Sequence, residues 1–242
     1  MILAVDAGNT RIKWGLRDAA GQWITRGAAA VDELERAYEE WARMPVPTRI
    51  AIANVAGPAV RETVVDLIGR WSVEPVWLET TARACGVVNG YEIPTQLGVD
   101  RWAAAVAAWL RQGRECLVVM AGTATTVDVV DADGVFRGGL ILPGLGLMKR
   151  ALVDHTAALK FAPGVYRDLP RNTADAIESG CIHAQIGAIE RMRRRLSPDA
   201  GCVISGGGAP ALVPHLEAPV MMAENLVLEG VVALADAVAQ AG

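Results

Sequence analysis

Four cysteines and three histidines are the only thiols and imidazoles that this 242-residue chain offers a soft or borderline metal. Cys85, Cys116, Cys181 and Cys202 form no C-x-x-C pair. Neither a zinc site nor a disulfide framework is therefore expected, and the thiols read as free in a reducing compartment. His155, His183 and His215 do not cluster along the chain and read as surface or core histidines. No apolar run approaches the roughly 20 residues that span a bilayer. The opening Met1-Ile2-Leu3-Ala4-Val5 meets Asp6 without a basic leader and is too short for a signal-peptide core. A cytoplasmic protein without a membrane partner is expected. Excess positive charge is also missing: the formal net charge is −4, which gives no general affinity for nucleic acid. The short basic run Arg191, Arg193, Arg194, Arg195 reads as the solvated, dipole-complementing end of a helix. Absent too are G-x-x-x-x-G-K-[ST], a G-x-G-x-x-G opening a helix after the first strand, G-x-S-x-G and H-E-x-x-H. A P-loop, a dinucleotide fold at the N-terminus, a serine-hydrolase elbow and a zinc protease are excluded with them.

What the chain does have is an apolar majority, 52% against 21% charged, and an internal repeat. Leu3-Ala4-Val5-Asp6-Ala7-Gly8-Asn9-Thr10 resembles Leu117-Val118-Val119-Met120-Ala121-Gly122-Thr123-Ala124. Each apolar run breaks at a small-residue turn and continues into an alternating segment, Arg11 to Arg17 and Thr125 to Asp131. A turn signal (Ala20-Gly21; Asp133-Gly134) and a second strand-like run come next, Gln22 to Arg26 and Val135 to Ile141. The repeat predicts two halves, 1–113 and 114–242, each built on a strand, a tight turn and a hairpin.

The remaining segments fit around these hairpins. Helical spacing covers Val31 to Trp41, with Asp32 near the N-cap, and Pro58 opens a second helix. Arg49 to Val55 and Ser72 to Leu78 read as strands, and 79–98 as a linker. An alanine-rich helix runs from Asp100 to Arg111, a long one from Asn172 to Leu196, and a last one from Asn225 to Ala239. Cys202 to Ile204 and Val220 to Met222 read as short strands. Strand–helix alternation after each hairpin predicts an α/β protein with a mixed sheet in each half. A ligand is expected at the strand ends, in a cleft between the halves.

Four elements could carry chemistry. In Asp6-Ala7-Gly8-Asn9-Thr10 a glycine turn lets backbone N–H groups approach a phosphate, and Asp6 is placed to hold a hard divalent cation. Lys13, on the strand face of Arg11, could add positive charge. The plainer reading is a hairpin turn that merely favours Gly and Asn. The second copy of the turn, around Gly122 and Thr123, argues for a nucleotide clamp. In Ser205-Gly206-Gly207-Gly208-Ala209 successive glycines could lie flat under a base or ribose, or form a flexible loop. In Gly98-Val99-Asp100-Arg101 an aspartate at a helix N-terminus could take a proton from an acceptor hydroxyl, with Arg101 pairing a carboxylate; a plain cap and a surface arginine are the alternative.

Taken in order, Asp6-Ala7-Gly8-Asn9-Thr10, Gly98-Val99-Asp100-Arg101, Gly122-Thr123-Ala124-Thr125-Thr126, Gly138-Gly139-Leu140-Ile141-Leu142-Pro143-Gly144 and Ser205-Gly206-Gly207-Gly208-Ala209 resemble the motifs of the type III pantothenate kinase family. The resemblance implies duplicated ribonuclease H-like halves of the actin-like ATPase type. It also implies transfer of the ATP γ-phosphate to the primary hydroxyl of pantothenate. By the same resemblance Asp6, Ala7, Gly8, Asn9, Thr10, Arg11, Ile12 and Lys13 form the first phosphate loop, with Asp6 near Mg²⁺. Thr123, Gly206 and Gly207 contact ATP, and Asp100 is the general base. Tyr91, Gly98, Val99, Asp100, Arg101 and Thr173 enclose pantothenate, with Arg101 facing its carboxylate, in a homodimer whose substrate pocket lies at the subunit interface. Family members often carry an aspartate that binds K⁺ or ammonium where this chain has Met120. A thioether does not replace a carboxylate for such an ion, so weak or absent potassium stimulation is expected. A kinase for another hydroxy-carboxylate or sugar, or a nucleotide-binding regulator without turnover, are the competing readings.

Overall fold

A computed structural model describes residues 1–154 and 162–241; His155 lies outside them. Packing divides the chain into two units, Met1–Arg111 with Asn225–Gly242, and Gln112–Glu224.

In the first unit the chain runs β1 (Ile2–Ala7), β2 (Arg11–Arg17), β3 (Trp23–Ala30), α1 (Glu35–Ala42), β4 (Arg49–Asn54), α2 (Gly57–Ile68), β5 (Pro75–Trp77), β6 (Arg83–Ala84), β7 (Val87–Asn89) and α3 (Val99–Gln112). The sheet order is β3-β2-β1-β4-β5. Every residue of β1 is buried, as an inner strand with a parallel neighbour on one side demands. One face of the sheet, with Leu3, Val5, Ile12, Trp14, Ile50 and Ile52, packs against Trp41 of α1 and Val64 and Leu67 of α2. Trp14 meets Trp41 edge-on at 5.6 Å, and Trp41 stacks on Trp71 at 5.9 Å. Such pairs add about 0.5–1.5 kcal/mol each beyond burial.

The second unit runs β8 (Cys116–Ala121), β9 (Ala124–Val130), β10 (Val135–Pro143), α4 (Leu145–Asp154), α5 (Thr173–Arg193), β11 (Gly201–Ser205), α6 (Ala209–Leu212) and β12 (Met221–Met222). Its strands lie in the order β12-β11-β8-β9-β10. Asn172 caps α5 by accepting from the Asp175 amide at 2.9 Å, the usual service of asparagine at a helix start. Helix α7 (Leu226–Ala241) closes the chain.

The two sheets have the same topology. In each, the first strand pairs antiparallel with the second (β1/β2, β8/β9) and parallel with the fourth (β1/β4, β8/β11). The turns differ by one residue. Ala7↔Ile12 encloses Gly8 to Arg11, whereas Ala121↔Thr125 encloses only Gly122 to Ala124. Accordingly the Gly8 amide donates to the Arg11 carbonyl, and the Gly122 amide to that of Ala124.

Several expectations change. The helix expected from Val31 with Asp32 at its cap starts at Glu35, and Leu34 at its N-cap makes no side-chain bond. The intervening residues are spent otherwise: the Val31 amide donates to Thr10 and that of Glu33 to Ala30, closing a turn on the first hairpin. The segment 79–98 is not a bare linker but holds β6, β7 and a short 3₁₀ turn at Pro94–Gln96. Cys85 and Gly86, both at positive φ, make the two-residue turn that such a hairpin prefers. The units also differ from the expected halves 1–113 and 114–242. Helix α7 packs on β1 and β4, and a Cβ on Gly230 would stand 1.9 Å from the Ala103 carbonyl. Only glycine lets α7 cross α3 at backbone contact.

Candidate active site

Asp6 is the last charged residue of β1, and its strand register brings it opposite Lys13. Lys13 Nζ lies 3.6 Å from Asp6 Oδ2. The Asp6 side chain is buried, at 9% exposure, while the lysine side chain is 39% exposed. Burial pushes the Asp6 carboxyl up to about 6; Lys13 pulls it back, and the nearby negative charge of Asp100 pushes it further up. Beyond this pair, Gly8 is half-buried and Asn9, Thr10 and Arg11 are exposed at the strand end, whereas Ala7 and Ile12 are buried in the sheet. Asn9 and Thr10 can reach a ligand; Ala7 and Ile12 offer only backbone.

Asp100 sits half-buried in the first turn of α3. The Arg101 amide donates to its Oδ1 at 2.8 Å. A Cβ on Gly98 would stand 2.6 Å from that same oxygen, so the glycine leaves the carboxylate its place. Val99 is buried and anchors the turn. Arg101 is buried too, at 7% exposure. Its guanidinium donates to the Tyr91 hydroxyl at 2.8 Å and lies 5.6 Å from the centre of that ring. Tyr91 is itself set by Asn89, a buried residue that sequence reasoning passed over. Asn89 accepts from the Tyr91 amide at 3.0 Å and donates to the Pro94 carbonyl at 3.1 Å. The first unit thus brings Asp6, Lys13, Tyr91, Gly98, Asp100 and Arg101 together.

In the second unit the exposed Thr123 occupies the shorter turn, and its carbonyl accepts from the Gly144 amide at 2.8 Å. The glycine loop lies alongside: the Gly208 amide donates to the Ala121 carbonyl at 2.9 Å. Gly206 has φ +102°, and a Cβ there would come within 2.3 Å of the same carbonyl. The loop is thus a shaped element and not a loose one, and it leaves Gly207 exposed. Thr173, exposed at the start of α5, also belongs to this unit.

These motifs and their topology agree with what is found among known proteins. The family model for type III pantothenate kinase matches residues 2–195. A type III pantothenate kinase of Aromatoleum aromaticum is 49% identical over 244 residues, covering 99% of this chain and 100% of that protein. The chain belongs to the type III pantothenate kinase family. Its fold recurs in a Campylobacter jejuni protein solved as a Baf family transcriptional activator (TM-score 0.64, 18% identity, 98% of this chain and 99% of that one). It recurs as well in the activator of 2-hydroxyisocaproyl-CoA dehydratase from Clostridium difficile, solved with bound ADPNP (TM-score 0.52, 10% identity, 99% and 96%). At those identities the fold alone is shared.

Within this pantothenate kinase fold some expectations are corrected. His183 and His215 are not unrelated: both pack on Tyr166, with ring centres 5.3 and 3.9 Å away. They join α5 to the segment after α6 as packing, and no group able to hold a metal with three or more His, Cys, Asp or Glu occurs among the described residues. The basic run at the end of α5 is not wholly solvated, since Arg193 donates to the carbonyls of Glu217 and Pro219. Met120 stands opposite Thr126 in the register, and the Thr126 hydroxyl is buried without a hydrogen-bond partner.

Proposed function

We propose that this chain phosphorylates the primary hydroxyl of pantothenate with ATP, giving 4'-phosphopantothenate, the first step toward coenzyme A. Family membership supports the reaction. The observation that carries the assignment of roles is the pairing, in one unit, of a buried acid beside a lysine (Asp6) with a half-buried acid at a helix start (Asp100). Asp100 is the general base: it is partly open to solvent, and its oxygen is held by the Arg101 amide. It accepts the hydroxyl proton as the phosphoryl group leaves ATP. Arg101, oriented by Tyr91, binds the acceptor carboxylate, with Gly98 and Val99 shaping that turn; Thr173 is a further pantothenate-binding residue.

Residues Asp6 to Lys13, Thr123, Gly206 and Gly207 bind ATP. A divalent cation fits Asp6, because one buried carboxylate oxygen set suits Mg²⁺, which takes most of its ligands from phosphates and water. When bound, that ion neutralises charge on the phosphates. This chain's part is to keep Asp6 ionised beside Lys13 and to position the acceptor. Met120 and the unpartnered Thr126 hydroxyl supply no carboxylate for a monovalent cation, so potassium stimulation is weak or absent.

The active form is a homodimer in the cytoplasm, with the substrate pocket completed at the subunit interface. Leu140 and Ile141 on β10 and Leu152 on α4 are exposed. All four cysteines are free thiols, and among the described residues no helix is long and apolar enough to cross a membrane.

The test is a coupled assay of ADP release with and without pantothenate, with the acceptor checked for the mass gain of one phosphoryl group. Pantothenate-dependent turnover with that gain is expected. Preference for a hexose, or ATP binding without transfer to any acceptor, would overturn the reading.

A further inference from the structure

The inner strand β4 ends beside the phosphate turn, at Asn54, which folds the next residues tightly. Its Oδ1 accepts from the Ala56 amide at 2.9 Å and its Nδ2 donates to the Gly57 carbonyl at 3.1 Å. Gly57 takes φ +83°, a conformation that suits glycine. Between them, the Val55 amide donates to the Ala7 carbonyl at 3.0 Å. Val55 is therefore bonded to the residue next to Asp6 and directly before the phosphate turn.

The side chain of Val55 is not used by the core. Its neighbour Ala56 packs against the apolar cluster of the first unit, whereas Val55 is half-exposed and outside that cluster. It reaches instead to Gly98. A methyl group on Gly98 would stand 3.8 Å from Val55 Cγ1 and 2.6 Å from Asp100 Oδ1. The space left by the missing side chain is thus bounded by a valine methyl on one side and the base on the other.

The duplicated unit departs from this arrangement. By strand register Val55 corresponds to Gly207, which is exposed, and the bond to the Ala121 carbonyl comes from the Gly208 amide, one residue further on, at 2.9 Å. At this register position the apolar side chain stands in the half that holds Asp100, and glycine in the other.

We infer that Val55 is a specificity-determining residue: its methyls form the apolar wall against which the two geminal methyls of the acceptor lie. The inference rests on the pantothenate reading and deepens it. The hydroxymethyl group to be phosphorylated hangs on a carbon that carries two methyls. A base in reach of the hydroxyl oxygen therefore has those methyls a few bonds away. An apolar wall there gains from burying them. The same wall leaves the hydroxyls of a sugar desolvated and unpaired, which is how one site selects against the other.

The experiment compares wild type, Val55→Thr and Val55→Ile on pantothenate and on its analogue lacking the two methyls, with kcat and KM for each acceptor and KM for ATP. Wild type is expected to prefer pantothenate. Val55→Thr, which keeps the shape and adds a hydroxyl, is expected to raise KM for pantothenate about 10-fold, the scale of a methyl-sized pocket contact. Its KM for the analogue and for ATP should hardly move, so the preference shrinks. Val55→Ile should discriminate against pantothenate and favour the smaller analogue. Unchanged preference in both variants, or an effect falling on ATP, would overturn the role of Val55 while leaving the kinase reading intact. A wild type that phosphorylates pantothenate and its analogue equally well would do the same. A wild type silent on both acceptors would remove the reading itself.

Discussion

Asp6 and Lys13 face each other across the first hairpin at 3.6 Å, and the matching pair in the second hairpin, Met120 and Thr126, carries no charge. Duplication supplied the same strand register twice, and substitution left the ionic equipment in one copy only.

Asp6 is held in the fold at a cost. Its carboxyl titrates at about 6 against an ordinary 3.8, with burial as the main cause. The folded state therefore holds this proton more tightly than the unfolded chain. The associated stability is full below about pH 4 and is lost as pH rises through about 6, roughly 3 kcal/mol in all. Asp6→Asn is expected to be more stable than wild type at pH 7 and inactive. Lys13, 39% exposed, stays solvated without its partner. Thermal melts of both proteins at pH 4, 5, 6 and 7 check this: the gap should open with pH, and a constant gap contradicts the assignment.

Lys13→Met removes the positive charge that opposes the rise in the Asp6 pKa. The acidic limb of kcat/KM, which tracks ionisation of Asp6 in the free enzyme, should then move to higher pH. A pH–rate profile between 5 and 8 reads the shift. An unmoved limb would mean that another group sets it.

Asp100→Asn keeps shape and removes basicity. Turnover should fall about 10²–10⁴-fold, or roughly 3–5 kcal/mol of barrier, with ATP affinity nearly unchanged. Gly98→Ala should give a comparable loss by another route, since its Cβ would lie 2.6 Å from Asp100 Oδ1 and drive the carboxylate aside. Wild-type turnover in either variant contradicts the role of Asp100.

Met120→Asp places a carboxylate opposite the unpartnered Thr126 hydroxyl. Wild-type turnover should be insensitive to replacing sodium by potassium, whereas the variant should gain potassium stimulation. Steep, saturable potassium activation of the wild type would contradict the reading of Met120.

Asn89 shows how far a sequence can be read and where it stops. The Gly98–Arg101 run was legible because a glycine and an acid at a helix start constrain only a few consecutive residues. That Asn89 orients Tyr91, and Tyr91 in turn Arg101, depends on a hairpin inside a stretch that looks like linker. The first helix starts later than its periodicity suggests for a related reason: Val31 to Trp41 has helical spacing, but the amides of Val31 and Glu33 go to the carbonyls of Thr10 and Ala30. Local periodicity does not include such competing partners.

The chain alone determined the duplicated α/β pattern, the two turns and the order of the motifs, because hydrophobic period and glycine placement act over a few neighbouring residues. Only the tertiary structure decided that α7 packs on the first unit's strands, that Asp6 is buried within range of Asp100, and that Val55 meets Gly98. Each of these joins residues far apart in sequence, and whether they meet depends on packing and desolvation, which no local pattern encodes.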